Sequence, residues 1–209
     1  MAYLVLIRHG QSEWNALGKW TGWHDVPLTD QGKAEAKAAA QALEGAHIQL
    51  HKAYTSKLMR AQQTLEEIKQ HLENVELETV AHESLNERHY GDYTGLNKWD
   101  AQEKMGEEEF HKIRRAWDHP IPGGETLKDV HARAVPFYQE TILHDLKKGK
   151  NVIIAAHGNS LRALVKHLEA MPDEAVHKLE IGTGEVYMYT VDEEGKIANK
   201  TIFNSGNKA

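Results

Sequence analysis

The chain alternates short unbroken apolar runs with longer stretches of helical spacing. Tyr3 to Ile7 is the first such run and reads as a buried strand ended by Gly10, before a loop with Gly18, Gly22 and Pro27. Thr29 and Asp30 open an amphipathic stretch through Ala34 to Leu43, with Thr29 as cap and Gly45 as stop. A short strand around Ala53 leads to Ser56, expected to cap a helix from Lys57 to about Leu72, and Val75 to Val80 alternates like a strand. Asn97 to Trp117 has polar helical spacing broken near Gly106. Leu127 to Lys147 forms a long helix in which Pro136 predicts a kink or a fresh start. Val152 to Ala156 is the clearest buried strand. Gly158 ends it, and Ser160 is expected to cap a helix from Leu161 to Glu169. Val186 to Val191, the turn Asp192-Glu193-Glu194-Gly195 and Ile197 to Phe203 read as a closing hairpin. Strands alternating with amphipathic helices imply an α/β fold, a three-layer α/β/α sandwich. Its central sheet is mainly parallel, with one antiparallel strand near the edge contributed by the hairpin. No Gly/Ser linker or internal repeat divides the chain, so residues 1–209 are expected to form a single domain.

Composition narrows the classes. At 209 residues, with 40% hydrophobic and 27% charged content, the chain can bury one sizeable core. It has no 18-residue apolar run, and Met1 to Arg8 lacks the basic start and small-residue cleavage site of a signal peptide, so no membrane partner is expected. Without cysteine there is no disulfide, thiol nucleophile or thiolate metal site, which fits a cytoplasmic protein. A net charge of −6 argues against nucleic acid, and any anionic ligand would need a local cationic pocket. The 14 histidines are mostly expected at the surface. His47 and His51 are four apart, but in a loop-like stretch without carboxylate support, so no metal is expected.

Two apolar strands end in the same way, as Ile7-Arg8-His9-Gly10 and Ala156-His157-Gly158. Ligands of open α/β sheets bind at the carboxyl ends of strands, so the repeated His-Gly points to one shared site. Glycine there lets the backbone approach a ligand and uncovers the histidine. Arg60 lies near the start of a helix, where the dipole disfavours a cation unless an anion is bound, although taken alone a solvated arginine explains it equally well. Arg8 and the pair Arg114-Arg115 offer further bidentate donors, although a solvated face explains the pair equally well. The tryptophans Trp14, Trp20, Trp23, Trp99 and Trp117 read as packing residues.

The run Leu6-Ile7-Arg8-His9-Gly10-Gln11-Ser12-Glu13-Trp14-Asn15 resembles the opening motif of the histidine phosphatase superfamily. The fuller match is to its 2,3-bisphosphoglycerate-dependent phosphoglycerate mutases. It is carried by Thr21-Gly22-Trp23, Tyr54-Thr55-Ser56 with Arg60-Ala61, Leu85 through Gly91, Gly95 through Lys98, and Ala155 through Arg162. Arg-His-Gly alone is shared with many phosphatases, whereas Asn86-Glu87-Arg88-His89-Tyr90-Gly91 is much more specific to the mutases. The resemblance implies that His9 is the phosphoryl-carrying nucleophile and Glu87 the general acid/base. Arg8, Arg60 and His157, with Asn15 nearby, would surround the transferring group. Ser12, Thr21, Gly22, Arg88, Tyr90, Lys98, Arg114, Arg115, Gly158 and Asn159 would hold substrate. It further implies phosphoglycerate substrates, 2,3-bisphosphoglycerate as primer, no metal, and an oligomeric state of monomer, dimer or tetramer.

The sequence departs from the longer mutases in four places. The segment from Arg115 to Gly123 is short, the chain ends soon after Phe203 so that a covering tail is reduced, Gln11 stands where many have Glu, and Gly184-Glu185 replaces a more apolar Gly-x-Pro. A phosphatase on the same fold is therefore the alternative. A silent binding protein would be expected to lack His9, His157 or Arg60, and all three are present.

Overall fold

The computed structural model describes residues 1–203, so the tail beyond Phe203 lies outside the described residues. Six strands form one sheet: β1 (Ala2–Arg8), β2 (Lys52–Thr55), β3 (Thr79–Ala81), β4 (Val152–Ala156), β5 (Val186–Val191) and β6 (Ile197–Phe203). Their order is β3-β2-β4-β1-β5-β6. β1, β2, β3 and β4 pair in parallel, β5 runs antiparallel to β1, and β6 runs antiparallel to β5. Only β5 is reversed, and it lies next to the edge, as the hairpin pattern implied. Helices cover both faces, which is why β1 and β4 are apolar throughout rather than alternating. On one face Leu4, Leu6 and Ile154 pack with Ala134, Tyr138, Leu161 and Leu164. On the other, Val5, Ile7 and Ile153 pack with Ala39, Leu43, Leu65 and Ile68.

The helices are α1 (Glu13–Ala16), α2 (Asp30–Gly45), α3 (Met59–His71), α4 (Lys98–Met105), α5 (Glu107–Arg115), α6 (Leu127–Phe137), α7 (Leu143–Lys147) and α8 (Gly158–Leu168). Thr29 caps α2 by accepting from the Gly32 N–H at 3.1 Å. Gly106, at φ +85°, separates α4 from α5. Pro136 does not stop its helix; the turn Tyr138–Ile142 that follows widens to a π-helix and joins α6 to α7.

Two caps and one strand differ from the sequence pattern. Ser56 lies outside α3, whose first N–H, on Met59, instead donates to Asp25 Oδ1 at 2.7 Å. α8 begins three residues earlier than expected, with His157 at the cap position. Ser160 sits inside its first turn, accepting back from the His157 N–H at 3.1 Å. β3 spans Thr79–Ala81 rather than Val75 to Val80, because Leu77 is buried in a turn and Val75 is solvent-exposed.

Candidate active site

β1 and β4 are neighbours in register, with Arg8 opposite Ala156. The residues that follow, His9 and His157, therefore leave the sheet side by side. Their rings meet edge to face with centroids 4.9 Å apart, and both are buried. The His9 tautomer is set by its partners. Nδ1 lies 2.7 Å from the Gly10 carbonyl, which can only accept, so Nδ1 carries the proton. Nε2 accepts from the Arg60 Nε–H at 3.3 Å, so it carries no proton of its own. Burial, then Arg60 and Arg8, hold the His9 pKa well below 6.5, keeping the ring neutral. Burial, then Arg60 and His9, do the same for His157. His157 Nε2 is 2.7 Å from Ser56 Oγ, while its buried Nδ1 has no partner.

Around His9 opens a cavity of about 450 Å³. Its walls carry six cationic side chains, Arg8, Arg60, Lys98, Arg114, Arg115 and Arg162, against the three carboxylates Glu35, Glu87 and Glu180. This is the local positive pocket that a chain of charge −6 needs to hold an anion. Burial lowers Arg60 to about 10 and Arg162 to about 9. Burial, followed by repulsion from Arg114 and Arg8, lowers Lys98 to about 8. Arg8 Nε and Arg162 Nε are buried without partners. Each lowered value reflects a desolvated cation that an incoming anion would relieve.

The N-terminus of α8 faces this cavity through Gly158 and Asn159, so its positive dipole end favours an anion there. Glu87 Oε1 accepts from the N–H groups of Arg88 at 2.7 Å and Asn159 at 3.2 Å, which fixes the carboxylate. A Cβ on Gly158 would stand 3.6 Å from Arg8 Nε and 3.8 Å from Glu87 Oε2, so glycine here keeps ligand space open. Gly10 has a different role from the one read in the sequence. A Cβ there would lie 2.1 Å from the Gly32 carbonyl oxygen, so glycine is required for packing on α2 rather than for ligand access.

Most expected substrate residues gather at the cavity: Asn15, Thr21, Gly22, Tyr90, Lys98, Arg114, Arg115, Gly158 and Asn159 all line it. Ser12 and Arg88 do not. Ser12 caps α1, and Arg88 is fully buried, donating to the carbonyls of Ile113 at 2.6 Å and Arg114 at 3.3 Å. Arg88 thus supports the end of α5 from which Arg114 and Arg115 project. Arg162, Glu35 and Glu180 line the cavity without having been expected there, and Trp20 and Trp99, read as packing residues, line it too. Arg162 holds Asn159 Oδ1 at 3.0 Å and belongs to the motif already quoted. Glu35 had a subtler signal: a carboxylate on the face of α2 that otherwise buries Gly32, Ala36, Ala39 and Leu43.

A buried neutral histidine, a second histidine beside it and an arginine-lined cavity at strand ends form a pocket suited to an anionic, phosphate-bearing ligand. Residues 4–202 match the histidine phosphatase superfamily (branch 1), and the chain belongs to that family. Its sequence is similar to the 2,3-bisphosphoglycerate-dependent phosphoglycerate mutase of Brucella anthropi, 48% identical over 202 residues, covering 97% of this chain and 98% of that one. The enzyme of the same name from Brucella melitensis biotype 2 is 49% identical over the same coverage, 97% and 98%. The fold is similar to mycobacterial glucosyl-3-phosphoglycerate phosphatase in complex with VO3, with TM-score 0.82, 25% identity and coverage of 98% and 99%. It is also similar to Bacillus stearothermophilus YhfR, with TM-score 0.79, 28% identity and coverage of 95% of both chains. The resemblance carried by the motifs is thus borne out over nearly the whole chain. Among the described residues no helix is long and apolar enough to cross a membrane.

Proposed function

We propose that the chain is a single-domain phosphoglycerate mutase, interconverting 3-phosphoglycerate and 2-phosphoglycerate through a phosphohistidine at His9 primed by 2,3-bisphosphoglycerate. The observation that carries the reading is the His9 ring itself. Its proton is held on Nδ1 by Gly10, and its Nε2 lone pair is turned toward the Arg60 side of the cavity. That is the state a nitrogen nucleophile for phosphorus requires.

In the forward half-reaction, phosphorylated His9 gives its group to the 2-hydroxyl of 3-phosphoglycerate. The P–N bond breaks as the new P–O bond forms, the electron pair returns to Nε2, and Glu87 takes the hydroxyl proton. After the bisphosphate turns over, Nε2 attacks the phosphorus of the 3-phosphate. That P–O bond breaks, and Glu87 returns the proton to the leaving oxygen. Arg8, Arg60 and His157, with Asn15, offset the charge on the equatorial oxygens, work done by metal ions in kinases. Asn15 Oδ1 is occupied by the Ser12 N–H at 3.1 Å, so its amide nitrogen is the end offered to ligand. Lys98, Arg114 and Arg115 supply a second cationic cluster for the far phosphate and carboxylate, with Thr21, Gly22, Tyr90, Gly158 and Asn159 completing the contacts. Ser12 and Arg88 act from behind, as cap and as support. The unpartnered buried Nε of Arg8 and Nδ1 of His157 suit the bisphosphate primer. Phosphoester substrates and a cysteine-free chain fit the cytoplasm.

The test follows conversion of 3-phosphoglycerate to 2-phosphoglycerate, with and without trace 2,3-bisphosphoglycerate, in wild type and His9→Ala. Strong bisphosphoglycerate-dependent isomerisation that vanishes in His9→Ala is expected. A second reading, a phosphomonoesterase, draws on the structural similarity to a phosphatase. Release of inorganic phosphate with little isomer formed would favour it, because water would then be the acceptor.

A further inference from the structure

On the Nδ1 side of His9, at the cavity wall, lies a buried carboxylate that the cycle above does not use. Glu35 on α2 is only 4% exposed. Its Oε2 accepts from the Gln11 N–H at 2.8 Å and its Oε1 from Gln31 Nε2 at 3.0 Å. Among the described residues no lysine or arginine forms an ion pair with it. The Gln11 N–H belongs to the same peptide group as the Gly10 carbonyl, which accepts the His9 Nδ1–H at 2.7 Å. Carboxylate and imidazole are therefore joined through the two ends of one peptide unit.

We propose that Glu35 is a positioning residue for phosphoryl transfer, acting through the Gly10–Gln11 peptide to hold the His9 Nδ1 proton and aim Nε2 at phosphorus. This rests on His9 being the nucleophile. A charged acceptor on the N–H end polarises the peptide and makes its carbonyl a stronger acceptor, because hydrogen bonds in series reinforce one another. The backbone on either side of this peptide is anchored: the preceding Gly10 N–H donates to Thr64 Oγ1 at 3.1 Å, and Gly10 is pressed on Gly32. When Nε2 attacks, the P–N bond forms and the P–O bond breaks, and the leaving oxygen takes its electron pair and a proton from Glu87. Both ring nitrogens are then substituted, and the ring carries a positive charge that faces Glu35 across the peptide. A neutral glutamine could accept the same Gln11 bond without the cost of burying a charge, so a carboxylate at this position points to that charge being used.

Glu35→Gln tests this. The Nδ1–H resonance of His9 is read by NMR on ¹⁵N-histidine-labelled free protein, and His9 phosphorylation by 2,3-bisphosphoglycerate is followed in a single turnover. The expected result is an upfield move of the resonance and about tenfold slower phosphorylation, at unchanged KM and melting temperature. If Glu35→Gln does not fold, Glu35→Asp, which withdraws the oxygen from Gln11, is expected to move the same resonance. An unmoved resonance with unchanged phosphorylation in a folded variant would overturn the proposal, as would a rate loss that only follows a lower melting temperature. The resonance is read without substrate, so its outcome is independent of the mutase reading. Failure of that reading would appear instead as phosphate release from a His9 that still phosphorylates.

Discussion

Ser56 Oγ stands 2.7 Å from Nε2 of His157, joining the ends of two parallel strands across the candidate site. Thr55 of β2 pairs in register with Ala155 of β4, so the two side chains occupy nearly adjacent rungs just past the sheet. Ser56 Oγ also accepts the Leu58 N–H at 3.1 Å, which turns its own hydrogen toward His157. The histidine then keeps its remaining proton on Nδ1, the buried atom without a partner.

Ser56→Ala is therefore expected to free the His157 ring while leaving the fold intact. Two buried hydrogen bonds are lost, to His157 and from Leu58, each worth about 1 kcal/mol, so the urea midpoint should fall by an amount corresponding to about 2 kcal/mol. The expected kcat loss is about tenfold, larger than that stability change explains. Parallel kcat and urea measurements check it, and an unchanged kcat would remove His157 Nδ1 from the transfer step.

The same serine shows why part of the site was hidden in the sequence. Ser56 before a helical pattern reads as a cap, and nothing local reveals that Asp25, distant in the chain, caps α3 instead. Only the pairing of β2 with β4 brings Ser56 to His157. The strands and their order of layers were legible because burial on both faces leaves continuous apolar runs in β1 and β4. His9 and His157 were legible because both follow such runs with the same glycine. Glu35 was not, because its use depends on a peptide group it meets only when α2 packs on the loop after β1.

Burial holds His9 and His157 well below 6.5, and this sets a direction for stability with pH. Below about 6.5 the unfolded chain protonates these rings and the folded chain does not, so the unfolded state binds more protons. Their contribution is fully present above 6.5 and declines as pH falls through the window beneath it. Each ring costs up to about 1.4 kcal/mol per pH unit in that window. Urea denaturation at pH 7.5 and 5.5 should show a larger loss for wild type than for the double variant His9→Asn, His157→Asn. Equal losses would mean that the rings protonate in the folded state.

Lys98, lowered to about 8 by burial and by Arg114 and Arg8, gives the basic limb. Its charge is present below that value and lost above it, so KM for 3-phosphoglycerate should rise as pH passes about 8 while kcat changes less. Lys98→Arg keeps a charge that does not titrate in this range and should remove the rise. Lys98→Gln should raise KM at every pH to the value that wild type reaches only in base. A pH series of KM for the three proteins checks this. A basic limb that survives in Lys98→Arg would assign it to another group.

Gly10 and Gly158 follow the two histidines alike in sequence, yet their alanine variants should fail differently. At Gly10 the new methyl would meet the Gly32 carbonyl at 2.1 Å, and both partners are backbone that cannot swing aside. Overpacking of this kind costs about 1–3 kcal/mol or more, so Gly10→Ala should lower the melting temperature markedly or fail to fold. At Gly158 the nearest atoms, on Arg8 and Glu87, lie at 3.6–3.8 Å, ordinary contact distances, so Gly158→Ala should melt close to wild type. Its methyl nevertheless enters the space between the Arg8 guanidinium and the Glu87 carboxylate, the two groups to which the proposed cycle assigns the substrate oxygens. Its kcat/KM is expected to fall at least tenfold, because small displacements of reacting groups are amplified in the rate. Thermal melts and steady-state kinetics on both variants separate the two effects. A Gly158→Ala protein with wild-type kcat/KM would show that substrate does not pass between Arg8 and Glu87.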